Sequence, residues 1–445
     1  MEKKKKRVPP DGGYGWVVVF AFASFNFLVI PMFQNYGLIF RSTFRDIGLS
    51  ATNESFIVTS GLAIGMLAGI GYGPILKRFG YRKVCVVSAF LTSFGTIMMV
   101  FANSMLGFIV TYGLFTSLGI AMGMTGYSIA LNTYFVKRKS FATGFAFTIT
   151  CLGSIVMPQV ISFLLFEYGV RGTVLLIGGL TLNTFASALL LHPIKWHMIE
   201  VDDNEENADN SIYTIKMEEN KLKQSSLNAS NTTISSDPNL IIVEEEKKDK
   251  HFVNLLMGIA LATFAEQSFS SLTPFILSDL EFTIPEIATF LSCLSVTDLI
   301  FRFITPFVGN YFKVTARQMC MISFLLLTCS RFTLFARPET FAWIVVIAFG
   351  IGVGKGVRTV YWTLVLPEYL PLKLLPSASG LHMVINGAVL FIGGPLLGVA
   401  RDITGNYVNC IYITNAITIL ALMLWTTEIL CNKCKSSKTL EITKL

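Results

Sequence analysis

Runs of about twenty apolar residues recur twelve times along this chain, and each is long enough to cross a hydrocarbon core of roughly 30 Å as a helix. A length of 445 residues would otherwise suggest about two to four soluble domains, but 53% hydrophobic and only 14% charged residues override that expectation. The chain therefore reads as an all-α polytopic membrane protein. Spans one to six fall near 16–40, 55–76, 84–102, 105–135, 141–166 and 172–191, and spans seven to twelve near 252–271, 287–307, 319–335, 341–366, 379–400 and 410–430.

Charge sets the orientation. A basic head, Lys3 to Arg7, precedes span one; Lys77, Arg78, Arg82 and Lys83 lie between spans two and three, and Lys137, Arg138 and Lys139 between four and five. The connection after span three has no Lys or Arg, and the one after span five has only Arg171. The positive-inside rule then places both termini in the cytoplasm. The net charge of +7 is topological and carries no nucleic-acid signal, although the basic head is placed to touch anionic lipid at about 1 kcal/mol per charge.

The division that follows is 1–15 as a basic cytoplasmic N-terminus, 16–191 and 252–430 as two six-helix halves, and 431–445 as a cytoplasmic tail. Residues 192–251 are rich in Asn, Ser, Glu, Asp and Lys and read as a disordered cytoplasmic linker. Two six-helix halves joined by such a linker is the layout of a carrier whose site lies at the midplane interface.

Ionisable residues within the spans cost about 2.5–3.5 kcal/mol each on insertion scales and so mark pathways or partners. Asp298 and Arg302, four residues apart in span eight, share a helix face and can meet as an ion pair. Lys355 and Arg358 sit near the middle of span ten, and Glu266 in span seven, giving three cations against two carboxylates and a preference for an anion. Arg302 offers a planar fork for a carboxylate, whereas Lys355 is a compact point charge suited to switching partners. A fixed ion-pair network locking the halves is the structural alternative. Gln34, Asn35 and Tyr36 are candidates for the cavity wall, and His382 with Asn386 for a polar pair or a proton relay.

The run Gly350 to Gly356 imitates a phosphate-binding loop, but its glycine spacing is short and no Ser or Thr follows Lys355. Its glycines at 350 and 354, and at 352 and 356, predict close helix packing instead. The eight cysteines are scattered, and Cys431 with Cys434 lacks a second ligand pair for zinc. No metal set, cofactor motif or nucleophile suggests an enzyme.

Several strings carry a family resemblance. Gly73-Pro-Ile-Leu-Lys77-Arg78-Phe-Gly80-Tyr-Arg82-Lys83 resembles the signature loop of the major facilitator superfamily, with Lys77 where that pattern usually has an acidic residue. Asp11-Gly12-Gly13-Tyr14-Gly15-Trp16 resembles the entry signature of the monocarboxylate transporter family; its local reading is a helix cap and an interfacial aromatic anchor. Tyr134 to Lys139, including Lys137 and Arg138, is similar to that family's second signature, Asp298 and Arg302 fall where it carries an Asp and an Arg in span eight, and Gly394 to Gly398 with Asp402, Gly405 and Tyr407 resembles its span-eleven exit.

The resemblance implies the major facilitator fold in a plasma-membrane carrier of small monocarboxylates, often moved with a proton, and raises a single-span chaperone glycoprotein as partner. In such members a span-one Lys works with the span-eight Asp and Arg; here a gap-free register from Asp11 puts Gln34 at that place. The expected substrate-binding residues are Arg302, Lys355, Arg358 and Gln34, with Asp298, Lys355 and Glu266 handling charge or proton, and Asp11, Gly12, Trp16, Lys137 and Arg138 gating. The expected function is secondary transport of a small organic anion by alternating access. Proton-independent passage of a larger aromatic or amino-acid-like substrate, or a non-transporting sensor or scaffold, stands beside it.

Overall fold

The computed structural model describes residues 5–135, 138–202, 238–312, 314–335, 340–369 and 375–442, and apart from one two-stranded ribbon its regular elements are helical. Span one is two helices, Gly15–Gln34 and Tyr36–Asp46, jointed at Asn35. The joint traces to Pro31, which has no N–H to donate and disturbs the helix around it. Its own carbonyl accepts from both the backbone N–H of Asn35 (2.9 Å) and the Asn35 side-chain amide (2.7 Å).

Ala51–Leu67 and Gly69–Phe79 meet at 47° as span two; Tyr81–Phe101 and Met105–Tyr134 are spans three and four. The helix Lys139–Thr181 breaks at Gly169, whose φ of 65° and ψ of −175° suit only glycine, and the break separates spans five and six. In the second half the helices are Pro238–Asp279, Ile284–Phe312, Ala316–Phe332, Phe341–Tyr369, Leu375–Thr404 and Val408–Ile442, spans seven to twelve. Among the described residues nine stretches are long and apolar enough to cross a membrane, ten with the bent pair. Dividing 141–189 at Gly169 and adding the 17-residue helix Ala316–Phe332 is consistent with twelve crossings.

The segment read as a disordered linker has order at both of its ends. Strands β1 (Lys5–Val8) and β2 (Ile199–Asp202) pair antiparallel, with Lys5 opposite Asp202 and Arg7 opposite Glu200. The helix of span seven already begins at Pro238. Residues 203–237 lie outside the described residues.

The two halves meet along spans two and eleven, and five and eight. At the end carrying 46–51, 279–284 and 404–408, here the far end, contact is tight: a Cβ on Gly398 would stand 2.3 Å from the Thr52 Cα, and one on Gly394 would overlap the Thr59 hydroxyl at 2.0 Å. Ser55 donates to the Gly394 carbonyl (2.7 Å), Ser292 to the Ile155 carbonyl (2.8 Å), and the Gln159 amide to Thr289 (3.2 Å). Toward the end bearing the termini, a Cβ on Gly71, Gly73, Gly144 or Gly380 would meet nothing within 4 Å among the described residues. In this conformation the halves are joined at the far end.

Candidate functional site

The glycine run of span ten builds the charged side of the site. A Cβ on Gly352 would meet Thr297 and the Leu294 carbonyl (2.6 and 2.7 Å), and one on Gly356 the Asp298 carbonyl (2.8 Å), so this stripe lies against span eight. Gly350 and Gly354 approach Ser330 and Leu327 of span nine as closely (2.6 and 2.8 Å). Span ten is thus wedged between two neighbours at backbone distance, which only a side chain of one hydrogen permits. Lys355, between Gly354 and Gly356, is brought beside the turn that carries Asp298 and Arg302.

Asp298 and Arg302 form a bidentate pair, Nε to Oδ1 and Nη2 to Oδ2, both 2.8 Å. Two parallel charge-assisted bonds of this kind are the strong ones, and they occupy the guanidinium fork. Asp298 therefore pairs with Arg302 and not with Lys355. Glu266 makes the second pair: its Oε1 accepts from Arg358 Nη2 (2.6 Å), Arg358 Nε lies against Oε2, and the guanidinium also stands 5.5 Å from the Trp362 ring centre. Both partners are nearly removed from solvent, with side-chain exposures of 11% and 6%.

Lys355 and Gln34 line a common cavity between the halves, with about 740 Å³ of empty space continuous in part with solvent. Asn35, Tyr36, Ser154, Gln267 and Ser295 supply further polar lining, and Phe33, Leu62, Phe269, Leu294 and Ile351 supply apolar lining. No carboxylate among the described residues lies within ion-pair distance of Lys355. Across the seam, Cys151 of span five lies within electrostatic reach of Asp298, Arg302 and Lys355.

The sequence reading overlooked Arg331, a fourth embedded cation that is 1% exposed. It stands 4.7 Å from the Phe269 ring centre and bonds Thr418 at 3.4 Å. The signal was present as an ionisable residue inside an apolar run, but its place close to the end of span nine disguised it as a boundary. The embedded surplus is thus two positive charges, from Arg302, Arg331, Lys355 and Arg358 against Glu266 and Asp298.

The far-end closure was also missed. Arg41 and Arg401 approach Asp279 (3.9 and 3.5 Å), linking spans one, seven and eleven. Asp402 accepts from the backbone N–H groups of Ala51 and Thr52, both at 2.9 Å, and so caps span two from the other half. Tyr407 donates to Glu54 (3.2 Å); burial, and then the charge of Glu54, push its hydroxyl well above the ordinary range, so it remains a donor. Asp402 and Tyr407 stood out in the sequence only as part of the span-eleven string, and their partners Ala51, Thr52 and Glu54 belong to the opposite half.

The entry signature lies elsewhere, at the end bearing the termini. Asp11 does not cap span one; its carboxylate accepts from the Arg138 backbone N–H at 3.4 Å, and its own N–H reaches the Tyr134 carbonyl. Gly12 offers its carbonyl to the Gly15 N–H. Trp16 packs edge-on against Phe135, Phe141 and Phe145, and Tyr14 stacks on His192 and His197 at 4.6 and 4.2 Å. The signature joins span one to the junction of spans four and five, remote from the cavity; Lys137 lies outside the described residues. His382 and Asn386 bond each other at 3.0 Å.

A family profile described as Major Facilitator Superfamily matches residues 15–395. Monocarboxylate transporter 13 of Bos taurus is 24% identical over 410 residues, 92% of this chain and 88% of that protein. Monocarboxylate transporter 4 of Gallus gallus is 25% identical over 437 residues, covering 96% and 86%. Monocarboxylate transporter 11 of Mus musculus reaches 32% over 186 residues, 42% of each chain. Among solved structures, a POT family transporter in complex with 5-aminolevulinic acid superposes with a TM-score of 0.69 at 14% identity, over 94% of this chain and 98% of that one.

Proposed function

This chain belongs to the Major Facilitator Superfamily and is related over most of its length to monocarboxylate transporters, and from that premise we propose that it is a plasma-membrane secondary carrier of a small organic anion, a monocarboxylate, working by alternating access. The observation that carries the reading is the surplus of positive charge around a cavity between the halves, where Lys355 has no carboxylate partner among the described residues. Buried charge of one sign in a low-dielectric cavity attracts its counter-ion and disfavours cations. The seam supplies the motion: closure at the far end by Asp279, Asp402 and Tyr407 opposes opening toward the termini, and exchange of the two states passes substrate across.

Proton uptake is not obligatory in this scheme. Both embedded carboxylates are held by arginines, and Gln34 offers no exchangeable charge. A proton becomes a co-substrate only if the anion takes the Arg302 fork and releases Asp298. Proteoliposomes loaded with radiolabelled monocarboxylates test both points: we expect saturable uptake that a pH gradient does not drive to accumulation. Absence of uptake for all monocarboxylates would end the carrier reading, and gradient-driven accumulation would restore the proton.

A further inference from the structure

We propose that the anion's seat is Lys355 and that Asn35, across the seam, reads a hydrogen-bond donor on the body of the substrate. The preferred class is then monocarboxylates that carry a hydroxyl or N–H, over the oxo and unsubstituted acids of the same size. The inference rests on the carrier reading above and adds to it which groups bind and what they select.

Both guanidiniums near the cavity are already engaged. Arg302 gives its fork to Asp298, and Arg358 is engaged by Glu266. Taking either guanidinium would strand a carboxylate in a low-dielectric interior, a cost of several kcal/mol. Lys355 lines the cavity with no carboxylate partner among the described residues. An embedded cation without a protein partner is expensive, and a substrate carboxylate relieves that cost without opening either pair.

The neutral wall carries a matching vacancy. Asn35 is 2% exposed and lines the same cavity; its Nδ2 donates to the Pro31 carbonyl at 2.7 Å, which fixes the orientation of the amide, because the reverse would set two acceptors face to face. Its Oδ1 is buried with no donor among the described residues. An unsatisfied buried acceptor costs about 1–3 kcal/mol, and a site built to pair with a donor rejects analogues that lack it. The joint at Pro31 holds this amide at the break in span one, so the selecting atom is set by backbone. A hydroxyl or N–H fits Oδ1; a ketone oxygen repels it, and a methylene leaves it unpaired.

The test is uptake by the full chain in proteoliposomes, using two size-matched trios: lactate, propionate and pyruvate, and mandelate, phenylacetate and phenylglyoxylate. In each trio we expect the hydroxy acid to show a KM about 5- to 10-fold below its partners, the worth of one satisfied buried acceptor. Asn35→Leu should raise the hydroxy-acid KM to that of the unsubstituted acid. Lys355→Gln should raise the KM for every acid about 10- to 100-fold, with partial rescue by Lys355→Arg, as for loss of a charge-assisted bond. The pair Asp298→Asn with Arg302→Gln should keep KM within about threefold while the maximal rate falls, because it removes a charge couple and leaves the seat. Uptake without a hydroxyl preference, or a KM that follows the Arg302 pair and ignores Lys355, would overturn the proposal and spare the carrier reading. Uptake of none of the six would overturn both.

Discussion

The two halves share a six-helix plan and divide the chemistry unequally. Half two carries Glu266, Asp298, Arg302, Arg331, Lys355 and Arg358 in the body of its spans, with Glu266, Asp298 and Arg331 buried and the others partly so, whereas the interiors of spans one to six contain no Asp, Glu, Lys or Arg. The first half turns neutral groups inward, among them Asn26, Asn35, Tyr36 and Tyr112, whose buried polar atoms include several without partners. One wall is therefore charged and the other neutral and polar. The division also separates their energetics, since a broken ion pair leaves an uncompensated charge and a lost amide contact leaves only a neutral orphan.

The comparison breaks most readily at Glu266. Glu266→Gln strands Arg358 and is expected to cost about 3–5 kcal/mol, seen as a large fall in the melting temperature of the purified protein; adding Arg358→Met should recover most of it. An unchanged melting temperature would mean that the charged wall is not held by pairing. Arg302→Gln comes next: uptake should fall at least about tenfold, with the amount at the cell surface unchanged, since truncating one member of a desolvated pair costs about 2–5 kcal/mol. Undiminished uptake would remove Asp298 and Arg302 from the working machinery.

Smaller effects sharpen the seam between the walls. Asp402→Ala removes the cap on Ala51 and Thr52 and should cost about 0.5–2 kcal/mol of far-end closure. With Leu49→Cys as reporter, an impermeant maleimide should label the Asp402→Ala background about 2- to 10-fold faster. Equal rates would show that the cap does not contribute to closure. The smallest change is expected at Asn26, 0% exposed and with neither amide atom bonded. Asn26→Leu should alter stability by less than about 1 kcal/mol or raise it, because it exchanges an unpaired polar group for an apolar one of similar shape. A marked loss would reveal a hydrated polar network inside the neutral wall.

Much of this was legible in one dimension for a physical reason: crossing a membrane is a local requirement. Each span must by itself be long and apolar, so the spans, their alternation and the two halves appear as composition along the chain. The span-ten glycines were readable in the same way, since spacing alone puts 350 and 354 on one stripe and 352 and 356 on another, and these stripes do face spans nine and eight. The i,i+4 spacing likewise foretold the pair of Asp298 with Arg302.

The amino-acid sequence thus determined the membrane class, the two-half plan and the identity of most embedded charges. Only the tertiary structure decided which charges are spent on one another and which has no carboxylate partner among the described residues. Glu266 finds Arg358 ninety-two positions away, Asp402 caps a helix 350 positions earlier, and Asn35 shares its cavity with Lys355 from the opposite half. Such pairings depend on how helices lie side by side, and no local property of the chain encodes which neighbour a buried group will meet.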